Sequence, residues 1–308
     1  MMTAKQSTVD TQPLIEAKLR EIVNGRKGVA PPEDIRFFET NRNENYYNGI
    51  AYSVDSDLKL CGFSLSGRVL DLGSGCGTFI KVCRNRGLDP YGIEPDTDVI
   101  EVAKLKAVGD GIVKGVGEYL PYRDESFDTI TSMSVLEHVQ DPEQVIRESV
   151  RVLNKNGALW LNAPDYSRCF HEGHYGLFWI PLMPKRLARL YVKAKGRKNA
   201  HYVDSIQYVT KRRMMEVLRS LDVEITDMQR VRINHMRERA VSQFVMKVQN
   251  PETINSRRWR QIMTLLRRLG IGERTLIVLC EMLYGILILK MRVRLAFDPM
   301  VVWVVRKQ

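Results

Sequence analysis

The 308-residue chain is poor in cysteine, with five at positions 61, 76, 83, 169 and 280, and none falls in a C-x-x-C or other paired metal-ligand spacing. A disulfide-built scaffold is excluded, a reducing cytosol is the expected compartment, and no metal is assigned. Long hydrophobic runs are also lacking. The most apolar stretch, Thr275 to Leu289, holds 15 residues, contains Glu281 and Gly285, and is bounded by Arg274 and Lys290. A spanning helix needs about 20 apolar residues, so this segment is expected to be buried rather than to cross a bilayer. Met1 to Gln12 is polar and has no apolar core of a signal peptide, which again points to a cytoplasmic chain. There is no internal repeat and no low-complexity segment. What is present is ordinary globular material: 44% hydrophobic and 27% charged residues, enough to bury a full core.

Charge is unevenly placed. Residues 1–160 carry 19 Lys+Arg against 24 Asp+Glu, whereas residues 161–308 carry 28 against 12, within a net charge of +11. An acidic front half and a basic back half imply separate tasks, the basic one directed at phosphate-bearing partners.

Residues 13–50 read as helical in pieces, with Leu14, Ile15, Leu19, Ile22 and Val23 on one face and Pro31-Pro32 as a break. From about 66 to 165, short apolar runs alternate with helical stretches. Strands are expected at Arg68–Leu72, Tyr91–Glu94, Ile112–Val116, Phe127–Met133 and Gly157–Ala163. Helices are expected at Thr78–Asn85, Asp98–Ala107 and from Asp141-Pro142 to about Leu153. Such alternation implies an α/β fold, a parallel sheet covered on both faces. Farther on, Thr210–Ser220 is amphipathic, Val223–Met228 reads as a strand, 231–295 as mainly helical, and Met300–Arg306 as a closing strand.

The most informative segment is Val69-Leu70-Asp71-Leu72-Gly73-Ser74-Gly75-Cys76-Gly77-Thr78. Glycines at 73, 75 and 77 after a strand let backbone approach a ligand closely. A nicotinamide fingerprint, G-x-G-x-x-G, needs its third glycine at 78, where Thr78 stands, so that cofactor is excluded. Asp71, two positions before the first glycine, suits a cationic amino group rather than a pyrophosphate. Glu94, seventeen residues after Gly77 and followed by Pro95, can accept both hydroxyls of a ribose.

These residues resemble the class I S-adenosylmethionine-dependent methyltransferases, specifically the small-molecule branch with the ubiquinone and menaquinone methylases. Further segments carry the likeness: Gly117-Glu118-Tyr119-Leu120-Pro121-Tyr122, Ser126-Phe127-Asp128-Thr129-Ile130, Val135-Leu136-Glu137-His138-Val139 and Arg151-Val152-Leu153-Asn154-Lys155-Asn156-Gly157. The resemblance covers roughly residues 66–165. It implies a Rossmann-like, doubly wound seven-stranded sheet, mostly parallel with the last strand antiparallel, and S-adenosylmethionine as cofactor. Asp71, Gly73, Ser74, Gly75 and Gly77 would hold its methionine end, and Glu94 and Pro95 its ribose. The 116–119 segment, with Glu118 and Tyr119, would edge the adenine, and Ser132 to Ser134 would lie beside the cofactor. Where the family often has Asp, this chain has Val116.

The expected organisation is an N-terminal helical cap (1–55), the cofactor-binding core (56–230) with a basic insertion at about 166–208, a helical insertion (231–295) and the final strand (296–308). Candidate bases are His138, His171 and His174, because an imidazole titrates near working pH; a metal through His171, His174 and Glu172 is the lesser reading. Neither Asn/Asp-Pro-Pro-Tyr/Phe nor Pro-Cys follows the fourth strand, where Ser132-Met133-Ser134-Val135 stands, which argues against methylation of nucleic-acid bases. The basic second half contains Phe178-Trp179-Ile180-Pro181-Leu182-Met183-Pro184, expected to expose large apolar groups. It also holds helical stretches with Leu187, Leu190, Tyr191 and Ala194, and with Trp259, Ile262, Met263, Leu266 and Leu269, on apolar faces edged by Lys and Arg. Basic amphipathic helices suit an anionic membrane surface. Methylation of an oxygen on a small or lipid-linked acceptor, a sugar or prenylated ring, is therefore expected, peripheral to the inner face of a membrane. A soluble natural-product or sugar methylase with a lid, a homo-oligomer contact in the insertions, and a non-catalytic cofactor-binding module are the alternatives.

Overall fold

The alternating apolar runs fold, in a computed structural model, into a seven-stranded sheet flanked by helices. The structure describes residues 11–26, 44–197, 199–249 and 300–308, with 261, 264–266, 268–272, 274–278 and 282 in between. Two helices come first, α1 (Gln12–Arg26) and α2 (Glu44–Leu60), so the domain boundary expected at residue 55 falls inside α2. Then follow β1 (Arg68–Leu72), α3 (Thr78–Asn85), β2 (Asp89–Glu94), α4 (Thr97–Leu105), β3 (Ile112–Lys114), β4 (Phe127–Met133), α5 (Pro142–Val152) and β5 (Leu153–Pro164). A two-stranded hairpin, β6 (His171–Glu172) and β7 (Leu177–Phe178), leads to α6 (Lys185–Ala194), α7 (Lys211–Arg219) and β8 (Val223–Asp227). The described elements end with α8 (Met228–Gln249) and β9 (Met300–Lys307).

Strand order is β3-β2-β1-β4-β5-β9-β8. The pairs from β3 to β5 are parallel, and β9 runs antiparallel beside β5, with Trp160 opposite Val304. The order reverses between β1 and β4, the switch point where open α/β sheets leave a crevice for ligands. Helix starts follow local chemistry: Asp96 accepts from Asp98 N and Val99 N at the head of α4, and Asp141 accepts from Glu143 N and Gln144 N with Pro142 at the first helical position of α5. The central core joins Leu70, Phe127, Ile130, Leu159, Trp303 and Val305. Residues 301–305 of β9 are all buried, which accounts for an unbroken V-V-W-V-V run. On the opposite flank, buried Asp57 of α2 accepts from Trp160 Nε1 at 2.8 Å, pinning α2 to β5.

Some expected extents shift. β5 begins at Leu153, not Gly157, with an irregularity in its pairing to β4, and β3 stops at Lys114, not Val116. The 166–208 insertion has its own core of Tyr166, Tyr175, Trp179, Met183, Ala188 and Val192. Phe178, Ile180 and Leu182 are exposed as expected, but Trp179 and Met183 are buried. On α6, Ala188 and Val192 face the insertion's core with Tyr191 half-buried, while Leu187, Leu190 and Ala194 are turned out.

The chain divides into two compact units, Met1–Thr226 with Pro299–Gln308, and Asp227–Asp298. In the second unit, Leu276 is buried with Phe244, Leu266 and Ile271 against it. The apolar stripes expected at 256–269 and 275–289 lie largely outside the described residues. Among the described residues, no helix is long and apolar enough to cross a membrane.

Candidate functional site

A cavity of about 1170 Å³ opens at the carboxyl ends of β1, β2 and β4. Its floor is the turn after β1. Gly75 N donates to Glu94 Oε2 at 2.9 Å, and Asp96 N donates to Glu94 Oε1 at 3.0 Å, so the carboxylate at the tip of β2 clasps the loop at the end of β1. Gly75 and Gly77 both sit at positive φ, for different reasons. A Cβ on Gly77 would meet Val108, Ile112 and Ala103 at 2.7–3.2 Å, so it is small to let α3 pack. A Cβ on Gly75 would meet nothing within 4 Å, and Gly75 lines the cavity.

Asp71 is buried at this end and accepts from Thr131 Oγ1 at 2.8 Å. Burial pushes its carboxyl up to about 7, the nearby Glu94 adds to the rise, and the Thr131 hydroxyl opposes it. Ser74 lines the cavity with its Oγ buried and without a hydrogen-bond partner among the described residues. The other wall is Gly115–Tyr119. Glu118 is buried, not a surface carboxylate, and its Oε1 accepts from Gln140 N and Asp141 N. That oxygen is committed to holding the β4–α5 turn. Pro95 and Tyr119 line the cavity, the latter exposed. Ser132 is corrected: it is fully buried within β4 and does not line the cavity, whereas Met133 and Ser134 do.

At the opposite end, the β6–β7 hairpin delivers a second cluster. His174 Nδ1 lies 2.5 Å from Glu172 Oε1, and His174 Nε2 lies 3.3 Å from His138 Nε2. Tyr202 OH stands 3.5 Å from His138 Nδ1. Glu172 is 1% exposed, and Tyr166 OH and Tyr175 N donate to it at 3.2 and 2.9 Å. A carboxylate only accepts, so Glu172 takes the Nδ1–H of His174 and leaves its Nε2 with a lone pair. Desolvation of the ring, with His174 adding to it, lowers the His138 imidazolium pKa from its usual range, although the residue keeps an exposed edge. His171 lines the cavity outside this relay. Among the described residues no cluster of three or more His, Cys, Asp or Glu is arranged to hold a metal.

Several lining residues carried no signal in the sequence: Tyr46, Tyr47 and Ile50 of α2, Trp160 and Asn162 of β5, and Met300 of β9. Their roles depend on where distant elements dock. Glu172, named in the sequence only as part of the lesser metal reading, stands instead as the hydrogen-bond partner of His174.

Residues 70–161 match the family described as "Methyltransferase domain". With the strand order and the loop after β1, this defines the class: the segment is a class I S-adenosylmethionine-dependent methyltransferase domain. The particular relatives include an uncharacterized methyltransferase of Mycobacterium sp. (strain JLS), 37% identical over 130 residues, 42% of this chain and 51% of that protein. A ubiquinone biosynthesis O-methyltransferase of Xanthomonas euvesicatoria is 32% identical over 114 residues, 35% of this chain and 46% of that one. The chain thus spans about half or less of the length of these curated relatives. Among solved structures, an S-adenosylmethionine-dependent methyltransferase from Thermotoga maritima aligns with a TM-score of 0.39 at 25% identity, covering 62% of this chain and 82% of that one.

The cavity suits this cofactor. The buried Asp71 carboxyl would match its ammonium, the open side of Gly75 leaves room for its methionine end, and the Glu94 carboxylate would accept from a ribose diol.

Proposed function

We propose that this chain methylates an oxygen of a small or lipid-linked acceptor, a sugar or a prenylated ring, with His174 as proton acceptor. The observation that supports this most is the Glu172–His174–His138 relay at the end of the cavity away from Asp71. When bound, the cofactor supplies a methyl group on a sulfonium, an electrophile that needs no further activation. The chain's task is then to align the acceptor and take its proton. Alignment alone lowers such barriers by about 7–11 kcal/mol in favourable cases, and a positioned base adds roughly 10²–10⁴-fold.

An acceptor hydroxyl that displaces His138 from Nε2 of His174 gives its proton to that nitrogen, and buried Glu172 stabilises the imidazolium through Nδ1. Glu172 is a positioning residue, held by Tyr166 and the Tyr175 amide so that the ring cannot turn. The printed name of the Xanthomonas relative, an O-methyltransferase, agrees with an oxygen nucleophile. An amine acceptor would not need a base of this construction once deprotonated in water.

The test is incubation of the purified chain with methyl-labelled S-adenosylmethionine and three acceptor pools: prenylated quinols in detergent, sugars, and amines. Label in a methyl ether, strongly reduced in His174→Ala with cofactor affinity intact, supports the reading. Label found only on nitrogen, or equal turnover in His174→Ala, overturns it.

A further inference from the structure

The insertion that supplies Glu172 and His174 also carries a concentration of outward apolar side chains. Trp179, Met183, Ala188 and Val192 are drawn into one buried cluster. Their chain neighbours are consequently turned away from it: Phe178 is 65% exposed, Ile180 59%, and Leu182, Leu187 and Leu190 are exposed as well. Leu182 is held at φ +53°, a left-handed conformation that strains any leucine, so a bulky apolar side chain is kept at the surface against local preference. Soluble surfaces seldom gather this many large apolar groups without a partner.

Charge identifies the partner. From residue 166 to 208 the segment has two carboxylates. Glu172 is buried, and Asp204 is engaged by Arg189 at 3.1 Å. Around the exposed leucines of α6 stand Arg186, Arg189 and Lys193, all exposed. Lys195, also exposed, sits over the Tyr191 ring. A protein partner of the same chain would have to bury these like charges against themselves, which is costly. An anionic bilayer accepts both components, leucines and phenylalanine into the acyl boundary and cations at the phosphates.

We propose that the 166–208 insertion docks on an anionic lipid bilayer through Phe178, Ile180, Leu182, Leu187 and Leu190, with Arg186 and Lys193 at the headgroups. Because Tyr166, Cys169, Glu172 and His174 of the same insertion wall the cavity, the cavity is built from the element that meets the lipid, and a lipid-embedded acceptor has a short path to the relay. The docking does not depend on the methyl-transfer reading, although the acceptor route does.

The test is flotation of the full chain with phosphatidylcholine vesicles and with vesicles containing phosphatidylglycerol, at low and high salt and without substrate. Expected is binding to the anionic vesicles, weakened by salt, and at least about tenfold weaker in Arg186→Glu/Lys193→Glu, each cation near such a surface contributing about a fivefold effect. Leu187→Asp/Leu190→Asp should also release the protein, while affinity for S-adenosylhomocysteine in both variants stays unchanged and shows that they fold. No binding by wild type, equal binding to neutral vesicles, or equal binding by both variants overturns the proposal. So does a concentration-dependent dimer that the leucine variant abolishes, since a second copy would then cover this face. Vesicle binding without turnover would refute only the enzymatic reading; turnover without vesicle binding would refute only this one.

Discussion

His138 and His174 are 36 residues apart in sequence, yet their Nε2 atoms lie 3.3 Å apart with ring planes at 86°. One ring ends the loop after β4, and the other is carried by the β6–β7 hairpin, so the pair exists only when insertion and core are docked. That relationship sets the insertion's His174 beside a core residue in the cavity wall.

The relay has a direction. With Glu172→Gln the amide can donate to Nδ1 and favour the wrong tautomer of His174. The turnover number should fall by about 10²-fold or more while cofactor affinity is unchanged. The rate should also change its pH profile. In wild type, activity falls on the acid side as the relay becomes protonated, and in Glu172→Gln that limb moves to lower pH because the imidazolium has lost its anionic partner. A fall in rate with an unmoved profile would assign Glu172 to folding alone.

Asp71 sets a second pH dependence. Its carboxyl, raised to about 7 by burial, holds a proton below that pH, and a neighbouring ammonium favours the ionised form. Affinity for S-adenosylmethionine is therefore complete above about pH 7 and is lost as pH falls, by up to about tenfold per pH unit. Below about pH 6, binding should release a proton, measured by calorimetry in two buffers of different ionisation enthalpy. Asp71→Asn should bind weakly and without this proton release.

Glycines 75 and 77 should separate ligand from fold. Gly77→Ala places a methyl group 2.7–3.2 Å from Val108, Ile112 and Ala103 at positive φ, and should cost about 2–4 kcal/mol by thermal or denaturant melting. Gly75→Ala meets no protein atom and should cost only the strain of its backbone, about 1–2 kcal/mol, yet weaken cofactor binding in calorimetry. Equal stability losses would contradict the division.

Glu94→Ala removes the acceptor for the Gly75 and Asp96 amides together with the ribose contact. Cofactor affinity should fall by at least about 10²-fold, since charge-assisted hydrogen bonds contribute about 1.5–3 kcal/mol each. Glu94→Gln, which still accepts from Gly75, should recover part of it.

How much was legible in advance follows the range of the interactions. Strands β1, β2 and β4 and helices α3 to α5 show in the sequence because their caps, turns and apolar periods are local, as with Asp141-Pro142 at the head of α5. The cofactor loop shows for the same reason: Asp71, Gly73, Ser74, Gly75 and Gly77 are adjacent, and Glu94 ends the very next strand. Of the expected Ser132 to Ser134 segment, Met133 and Ser134 line the cavity while Ser132 is buried in β4, a distinction that strand alternation alone does not make. Which face of α6 is buried was not legible, because it is decided by Trp179 and Tyr175, aromatic groups from another part of the insertion.

The sequence by itself determined the strand–helix alternation, the loop after β1 and the class of cofactor, since each rests on short-range patterns and on backbone chemistry that glycine, proline and capping carboxylates specify. Only the tertiary structure decided which histidines meet, that Glu172 stands behind one of them, and which apolar groups of the insertion face water. Those depend on long-range packing: the hairpin is held where it is by Tyr166, Tyr175 and Trp179 filling a core of their own, and no local pattern encodes the position of a side chain that a distant ring displaces.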